Sequence, residues 1–442
     1  MKTLILFLAT FMACTLKAQR HNGIYTYFVK NLQGDTTAAA PGKSFSEKKL
    51  KAQRESVWTA WCQANADCPS PTLLAEPDSL LQAKPHAWNL PAELEPHAVM
   101  PYYFGAKGQK PEAGYPLFLY LHGSGPKEHE WSTGLKLAGM FKDAPSIYFI
   151  PQIPNEEGWY RWWHRSKQYA WEQLLRQALL RTDIDPDRLY LFGISEGGYG
   201  SQRLASFYAD YLAAAGPMAG GEPLMNAPAE NVGNIGFSLR TGNEDHGFYR
   251  NKLTRYVREA LDSLERLVPG KYRHHVELIP GQGHHIDYSP TTPWLLQFKR
   301  NPWPTHFIWE DYEMDGRHRN GFYNLWVHQR PHSQLRTRYE VKIEGNEVDI
   351  TVEDVSYTCT ETDPVYGIQL KFNRSYAPAQ HGHITLFLDE HLVKLQHPVI
   401  VRVNGQTLHR SKLRLSTDNL AHSALVYGDP RRLYPAGVEL RW

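Results

Sequence analysis

Apolar positions along the chain fall into distinct textures. Up to about Pro96 they recur at helical spacing. In "SEKKLKAQRESVWTAWCQANA" the residues Leu50, Val57, Trp58 and Trp61 share one face, so a helix packed on the main domain is expected. A proline-punctuated stretch runs from Pro69 to Pro101. From about Ala98 to Arg300 short continuous apolar runs alternate with amphipathic ones. "AVMPYYFG", "YPLFLYLHG", "SIYFIPQ", "RLYLFGI", "NIGFSLRTG" and "YRHHVELIP" read as strands. "SKQYAWEQLLRQALLRT", the stretch from Ser201 to Leu212 and "FYRNKLTRYVREALDSLERLV" read as helices. Such alternation implies right-handed crossovers and a largely parallel sheet covered on both faces. From about Pro302 the pattern becomes short alternating runs broken by Gly, Asn and Pro, and Asn404-Gly405 marks a hairpin. The expected class is α/β: a doubly wound, mostly parallel sheet with an N-terminal helical extension and a C-terminal β-sandwich. The expected segments are 1–18, a signal peptide; 19–97, the extension; 98–301, the α/β domain; and 302–442, a linker and the sandwich.

Composition narrows the function classes. The 442 residues are 42% hydrophobic and 21% charged with a net charge of +2, which gives no electrostatic footprint for nucleic acid or an anionic membrane. Lys2 followed by "LILFLATFMA" and "CTLKAQ" reads as a secretory signal cut after Ala18, too short to span a membrane. The alternative makes Cys14 the lipidated N-terminus of a lipoprotein, an imperfect match to that pattern. The protein is therefore expected to be exported, periplasmic or extracellular. Disulfides are permitted there, and Cys62 and Cys68 are close enough in sequence to pair, leaving Cys359 over. The cysteines lack metal-ligand spacing, and the paired histidines His274 and His275 on a strand point to opposite faces, so no metal and no cofactor are expected.

The chemistry centres on Gly193-Ile194-Ser195-Glu196-Gly197. A buried-looking strand ends at Ile194 and a helix begins after Ser195. That strand-turn-helix holds the serine in a strained conformation and needs glycines on either side of it. A neutral serine hydroxyl is a weak nucleophile, so it requires a base and an orienting acid. Asp245 stands in the loop after "NIGFSLR" and His284 in the loop after "HHVELIP", in the Ser–Asp–His order of α/β-hydrolases. Glu244 and Asp183 are rival acids, and His285 is a rival base that the sequence does not separate from His284. An oxyanion hole is expected from the Glu196 amide and from Gly123 and Ser124 of "HGSGP", directly after the strand "LFLYL". His122 is read as shaping that loop. "GWYRWWHRS" falls at the carboxyl edge of the sheet, so Trp159, Tyr160, Trp162 and Trp163 are the candidate substrate-binding residues, with Arg161 or Arg165 to anchor polar atoms.

On "LYLHGSG", "IYFIPQIPNEEGW", "IDPDRLYLFGISEGGYGSQRLA" and "YLAAAGPMAGG", covering much of 116–221, the chain resembles exported α/β-hydrolases of the peptidase and esterase group, relatives of feruloyl esterases and polyhydroxybutyrate depolymerases. The resemblance implies a serine hydrolase with Ser195 as nucleophile and the loop after Leu121 in the oxyanion hole. It also implies substrates among esters that decorate plant polysaccharides. Two positions depart from the group. Glu196 replaces an apolar residue after the nucleophile, and His246-Gly247-Phe248 replaces a Val-Pro after the acid. An acid beside the nucleophile is expected to raise the histidine pKa or to disfavour anionic substrates. The expected function is hydrolysis of carboxylic esters of carbohydrate or small or aromatic acyl groups through an acyl-enzyme. The alternatives are a peptidase on the same triad and a non-catalytic binding module. The partner is a small-molecule or polysaccharide ester, and the C-terminal sandwich is read as packing on the hydrolase. The oligomeric state is not legible.

Overall fold

The computed structural model describes residues 23–69, 72–154, 161–332 and 334–442. The expected signal segment and Cys14 lie outside them, as do Trp159 and Tyr160. Among the described residues no helix is long and apolar enough to cross a membrane.

The chain opens with helices α1 (Gly23–Leu32) and α2 (Leu50–Asp67). Strands β1 (Asp78–Ser79), β2 (Pro85–Asn89), β3 (Val99–Lys107) and β4 (Tyr115–Leu121) follow, then α3 (Lys127–Met140), β5 (Ser146–Pro151) and α4 (Arg165–Leu180). Next come β6 (Ile184–Ile194), α5 (Glu196–Phe207), β7 (Ala214–Met218), β8 (Gly236–Gly242), α6 (Arg250–Leu267), β9 (His274–Ile279) and the short α7 (Thr291–Leu295). These strands make one nine-stranded sheet in the order β1-β3-β5-β4-β6-β7-β8-β9, with β2 also on β3. Strand β3 runs antiparallel to β5, and β5, β4, β6, β7, β8 and β9 are mutually parallel. The burial of β5, β7 and β8 at every position shows a sheet covered on both faces.

The sheet starts earlier than the expected boundary at residue 98, because β1 and β2 belong to it. The N-terminal helices also find a different partner. Ile24, Phe28, Val57, Trp61 and Ala64 pack with Leu420, Ala421 and Ala424 of a C-terminal helix.

From residue 306 onward the chain forms β10 (His306–Asp311), β11 (Gly321–Phe322), β12 (Leu325–Gln329), β13 (Arg336–Glu344), β14 (Glu347–Thr362), β15 (Gln369–Pro378), β16 (His383–Leu388), β17 (Val399–Val403) and β18 (Gln406–Ser411). Helix α8 (Thr417–Tyr427) and β19 (Ala436–Arg441) close it. One sheet runs β10-β13-β14-β17-β18 with β15 on β14, and the other β11-β12-β16-β19. Their inner faces meet through aromatic rings: Trp309 of one sheet, stacked on its strand neighbour Tyr339 at 5.3 Å, stacks on Phe322 of the other at 5.2 Å.

A buried ion network ties this sandwich to the parallel sheet. Asp210, after α5, takes Arg319 and Arg432, while Asp429 takes Arg432 and Arg300. Burial alone would raise the Asp210 carboxyl, but the two guanidiniums outweigh it and hold it below the usual carboxylate range. Asp210, Asp429, Arg432 and Arg300 are each paired on both sides, and Arg319 with Asp210, the condition under which buried ions are tolerated. The described cysteines Cys62, Cys68 and Cys359 are free thiols, so the Cys62–Cys68 pairing does not form. Burial pushes the Cys62 thiol up to about 11.

Candidate active site

Strand β6 ends at Ile194 and α5 begins at Glu196, leaving Ser195 alone at the bend with φ 56° and ψ −114°. That left-handed conformation costs a non-glycine residue roughly 1–3 kcal/mol and persists only where the surroundings enforce it. The enforcement is visible. A Cβ on Gly193 would lie 2.3 Å from the Gly197 carbonyl oxygen, and one on Gly197 would lie 2.0 Å from that of Leu121. Both neighbours are backbone and cannot yield, so both positions demand glycine. The Ser195 N–H donates to the Met218 carbonyl at 3.0 Å, which pins the bend to the end of β7.

Two distant loops converge on this hydroxyl. His284, after β9, places Nε2 2.9 Å from Ser195 Oγ. Its Nδ1 lies 2.8 Å from Asp245 Oδ2, at the carboxyl end of β8. The sheet order, the strand–serine–helix bend and this chain order of serine, acid and histidine decide the architecture. The nine-stranded sheet has the α/β-hydrolase fold.

Of the rival residues, Glu244 is exposed and pairs with His246, His285 is exposed, and Asp183 pairs with Arg181 where β6 begins. Sequence reasoning missed Arg250, the first residue of α6. Its Nε donates to Asp245 Oδ2 at 2.8 Å and its Nη2 to Oδ1, a bidentate clamp on the acid. Burial pushes the Asp245 carboxyl up, but the hydrogen bonds from His284 and Arg250 outweigh it and hold the group below the ordinary carboxylate range. The available signal was a basic residue five positions after the acid, at a helix start.

The loop expected to form the oxyanion hole follows β4. A Cβ on Gly123 would sit 3.5 Å from Ser195 Cβ, so the Gly123 backbone lies beside Ser195. Ser124 is exposed at the loop's tip. Glu196 provides the first amide of α5, where helix N–H groups lack intrahelical partners and favour negative charge. His122 is fully buried, and burial depresses its imidazole to about 4, so it is neutral. Its Nε2 accepts the Ile153 N–H at 3.1 Å, which leaves the proton on Nδ1 to donate to the Gly123 carbonyl at 2.7 Å. His122 thus braces the loop and has no path to act as a base.

The aromatic candidates separate. Trp162 is fully buried. Its indole N–H donates to the His122 carbonyl at 3.0 Å, and its ring meets the His122 ring edge-on at 4.9 Å. This corrects the expectation of substrate contact, because Trp162 supports the loop after β4 from behind. Trp163 does face a cleft, with the Arg203 guanidinium 3.9 Å over its ring.

Glu196 turns away from the triad. Its Oε1 accepts the Arg161 N–H at 2.9 Å, and the charges acting on it are those of Glu222, Arg203 and Arg161. Burial, opposed by the Arg161 hydrogen bond, raises its carboxyl above the ordinary range. A role in tuning His284 is not what this geometry offers; Glu196 instead lines the cleft beside Ser195.

No model of a known protein family matches the chain, and no curated protein matches it. Among solved structures, a thermostable esterase shares 20% identity over 49% of this chain and 63% of its own length, with a TM-score of 0.40. A ferulic acid esterase from Anaeromyces mucronatus shares 15% over 48% of this chain and 88% of its own, with a TM-score of 0.34. The fluorophosphonate-binding serine hydrolase F of Staphylococcus aureus shares 14% over 50% of this chain and 99% of its own, with a TM-score of 0.37.

Proposed function

We propose that this chain is an exported serine hydrolase that cleaves carboxylic esters through an acyl-enzyme on Ser195. The observation that carries the reading is the continuous hydrogen-bonded line Ser195 Oγ–His284–Asp245, at 2.9 and 2.8 Å, beneath a loop that sets Gly123 against the nucleophile. His284 Nε2 takes the Ser195 proton as Oγ bonds to the carbonyl carbon, and the carbonyl electron pair moves to oxygen. The Glu196 and Gly123 amides stabilise that oxyanion; each such donor is worth about 3–4 kcal/mol of barrier. As the intermediate collapses, His284 returns the proton to the departing alkoxide, so the alcohol leaves and the acyl group stays on Oγ. Water, deprotonated by the same imidazole, then releases the acid and restores the serine. Asp245, clamped by Arg250, keeps the imidazole proton on Nδ1 and balances the imidazolium charge. Esters of carbohydrate or of small or aromatic acyl groups are the favoured substrates. The apolar run after Lys2 supports export.

The test is a substrate panel of p-nitrophenyl acetate, feruloyl esters and short peptides, run with wild type and Ser195→Ala. Ester turnover lost in the variant is expected. Turnover of peptides alone contradicts the esterase reading, and full activity in Ser195→Ala contradicts the nucleophile.

A further inference from the structure

The strands β14 and β15 do not stop at the edge of the sandwich. They continue as a hairpin arm that lands on α6 of the hydrolase domain, next to the loop carrying Asp245. Glu361, near the arm's end, accepts the Tyr256 hydroxyl at 2.6 Å and pairs with Lys252, both on α6. Asp363 accepts the backbone N–H groups of Val365, Tyr366 and Ile368 at 2.7, 3.0 and 2.9 Å, which fixes the turn. The Tyr249 hydroxyl also bonds Asp363. The result is that Tyr366, 61% exposed, stands with its ring 5.2 Å from that of Phe248. Phe248 and Tyr249 both hold left-handed backbone, with φ of 50° and 60°. The arm meets this strained pair through the Tyr366–Phe248 ring contact.

The arm closes one side of a cleft of about 850 Å³ that begins at Glu196, one residue beyond the nucleophile. Trp163 stands in its lining with the Phe248–Tyr366 pair. Charged side chains of both signs share the lining with Leu253, Met314 and Ile368: Arg161, Arg203, Glu196 and Glu222 come from the hydrolase domain, and Glu313 and Arg336 from the sandwich. The volume lies toward the upper end of the roughly 300–1,000 Å³ of small-molecule sites, far more than a two-carbon acyl group fills. A wholly apolar acyl group would leave those charged groups without hydrogen-bond partners. An ion of either sign would meet its own charge here. An uncharged ligand with ring faces to stack and hydroxyls to donate and accept fits both features.

We propose that the interdomain cleft binds the glycosyl part of the substrate, stacked against the Phe248–Tyr366 pair, so that the β14–β15 arm of the C-terminal sandwich determines specificity. The sandwich is then part of the active site as well as a packed neighbour. This inference rests on the esterase reading of the triad.

The experiment compares kcat/KM for acetylated cellobiose, p-nitrophenyl acetate and methyl ferulate in wild type, Tyr366→Ala and Tyr366→Phe. The first two esters deliver the same acyl group and differ only in the alcohol. Tyr366→Ala is expected to lower the acetyl-cellobiose to p-nitrophenyl acetate ratio by about fivefold or more, the size of a lost ring contact. Tyr366→Phe restores the ratio because the ring remains. Met140→Ala, an exposed change on α3, leaves both rates unchanged. A smaller drop in the ratio, no turnover of acetylated cellobiose by wild type, or a loss confined to methyl ferulate overturns the proposal. Failure of the esterase reading has a different signature, absence of p-nitrophenyl acetate turnover and of fluorophosphonate labelling in wild type. Quenching of intrinsic tryptophan fluorescence by cellotetraose in Ser195→Ala then reads the cleft alone. Saturable quenching that is weakened in Ser195→Ala/Tyr366→Ala supports a glycosyl site, and its absence overturns it.

Discussion

Replacing Asp245 by Asn changes almost no volume and removes one charge, so its consequences can be worked atom by atom. Asp245 Oδ2 accepts from both His284 Nδ1 and Arg250 Nε, and Oδ1 accepts from Arg250 Nη2. An amide has only one acceptor oxygen. With its NH2 at the Oδ2 position it faces two donors, and the imidazole escapes by moving its proton to Nε2, where it cannot accept the serine proton. With its NH2 at the Oδ1 position it faces the guanidinium, which is only 10% exposed and is left without its counter-charge. The first arrangement carries a rate loss of about ten-thousand-fold, about 5.4 kcal/mol of barrier. Either arrangement leaves the guanidinium without its counter-charge and carries the cost of breaking a buried ion pair, about 3–5 kcal/mol of stability. Asp245→Asn is therefore expected to lose activity and to unfold at lower denaturant, while Glu244→Gln, at an exposed neighbour, changes kcat less than about twofold. Steady-state p-nitrophenyl acetate kinetics and urea denaturation read the two effects separately. An Asp245→Asn protein that keeps more than about a tenth of wild-type kcat refutes the role given to the acid and to the Arg250 clamp.

Gly197→Ala places a Cβ 2.0 Å from the Leu121 carbonyl oxygen and 2.9 Å from that of His122, so the bend and the oxyanion loop must part. Overpacking costs about 1–3 kcal/mol, and displacement of an oxyanion donor should cost about a hundredfold or more in kcat; thermal melts with kinetics check this, and near-wild-type kcat contradicts it. Glu196 is protonated more readily in the folded chain than in the unfolded one, so ionisation works against folding as pH rises. Glu196→Gln, which keeps an acceptor for the Arg161 N–H, is expected to melt above wild type near about pH 8 and to lose that advantage near about pH 4, where both states hold the proton. A pH-independent difference in Tm argues against an uncompensated buried carboxyl.

The sequence exposed the elbow because its steric demands are written into residue identity: only glycine fits at Gly193 and Gly197. The partners were legible because strands end in loops whose order along the chain is fixed, and Asp245 and His284 stand at two such ends. Strand β7 was not read as a strand, because "AAGPM" looks like a turn. Gly216 is needed there since a Cβ would come 2.6 Å from a methyl of Thr291. Helix α3 has too weak an apolar stripe to announce itself. The helix expected on Leu50, Val57 and Trp61 buries those residues as read, but the pattern does not name a partner, and that is α8. Trp162 and Trp163 are adjacent and identical in type; one is buried under His122 and the other faces the cleft, a difference set by tertiary packing. Arg250 and the hairpin arm are long-range features of the same kind.

The most direct test of the central claim is the site of acylation. Incubation with a fluorophosphonate, followed by proteolysis and mass spectrometry, should add one phosphonyl group to Ser195 in wild type and none in Ser195→Ala. Label on another serine, or an unlabelled wild-type protein that still hydrolyses esters, would contradict the account.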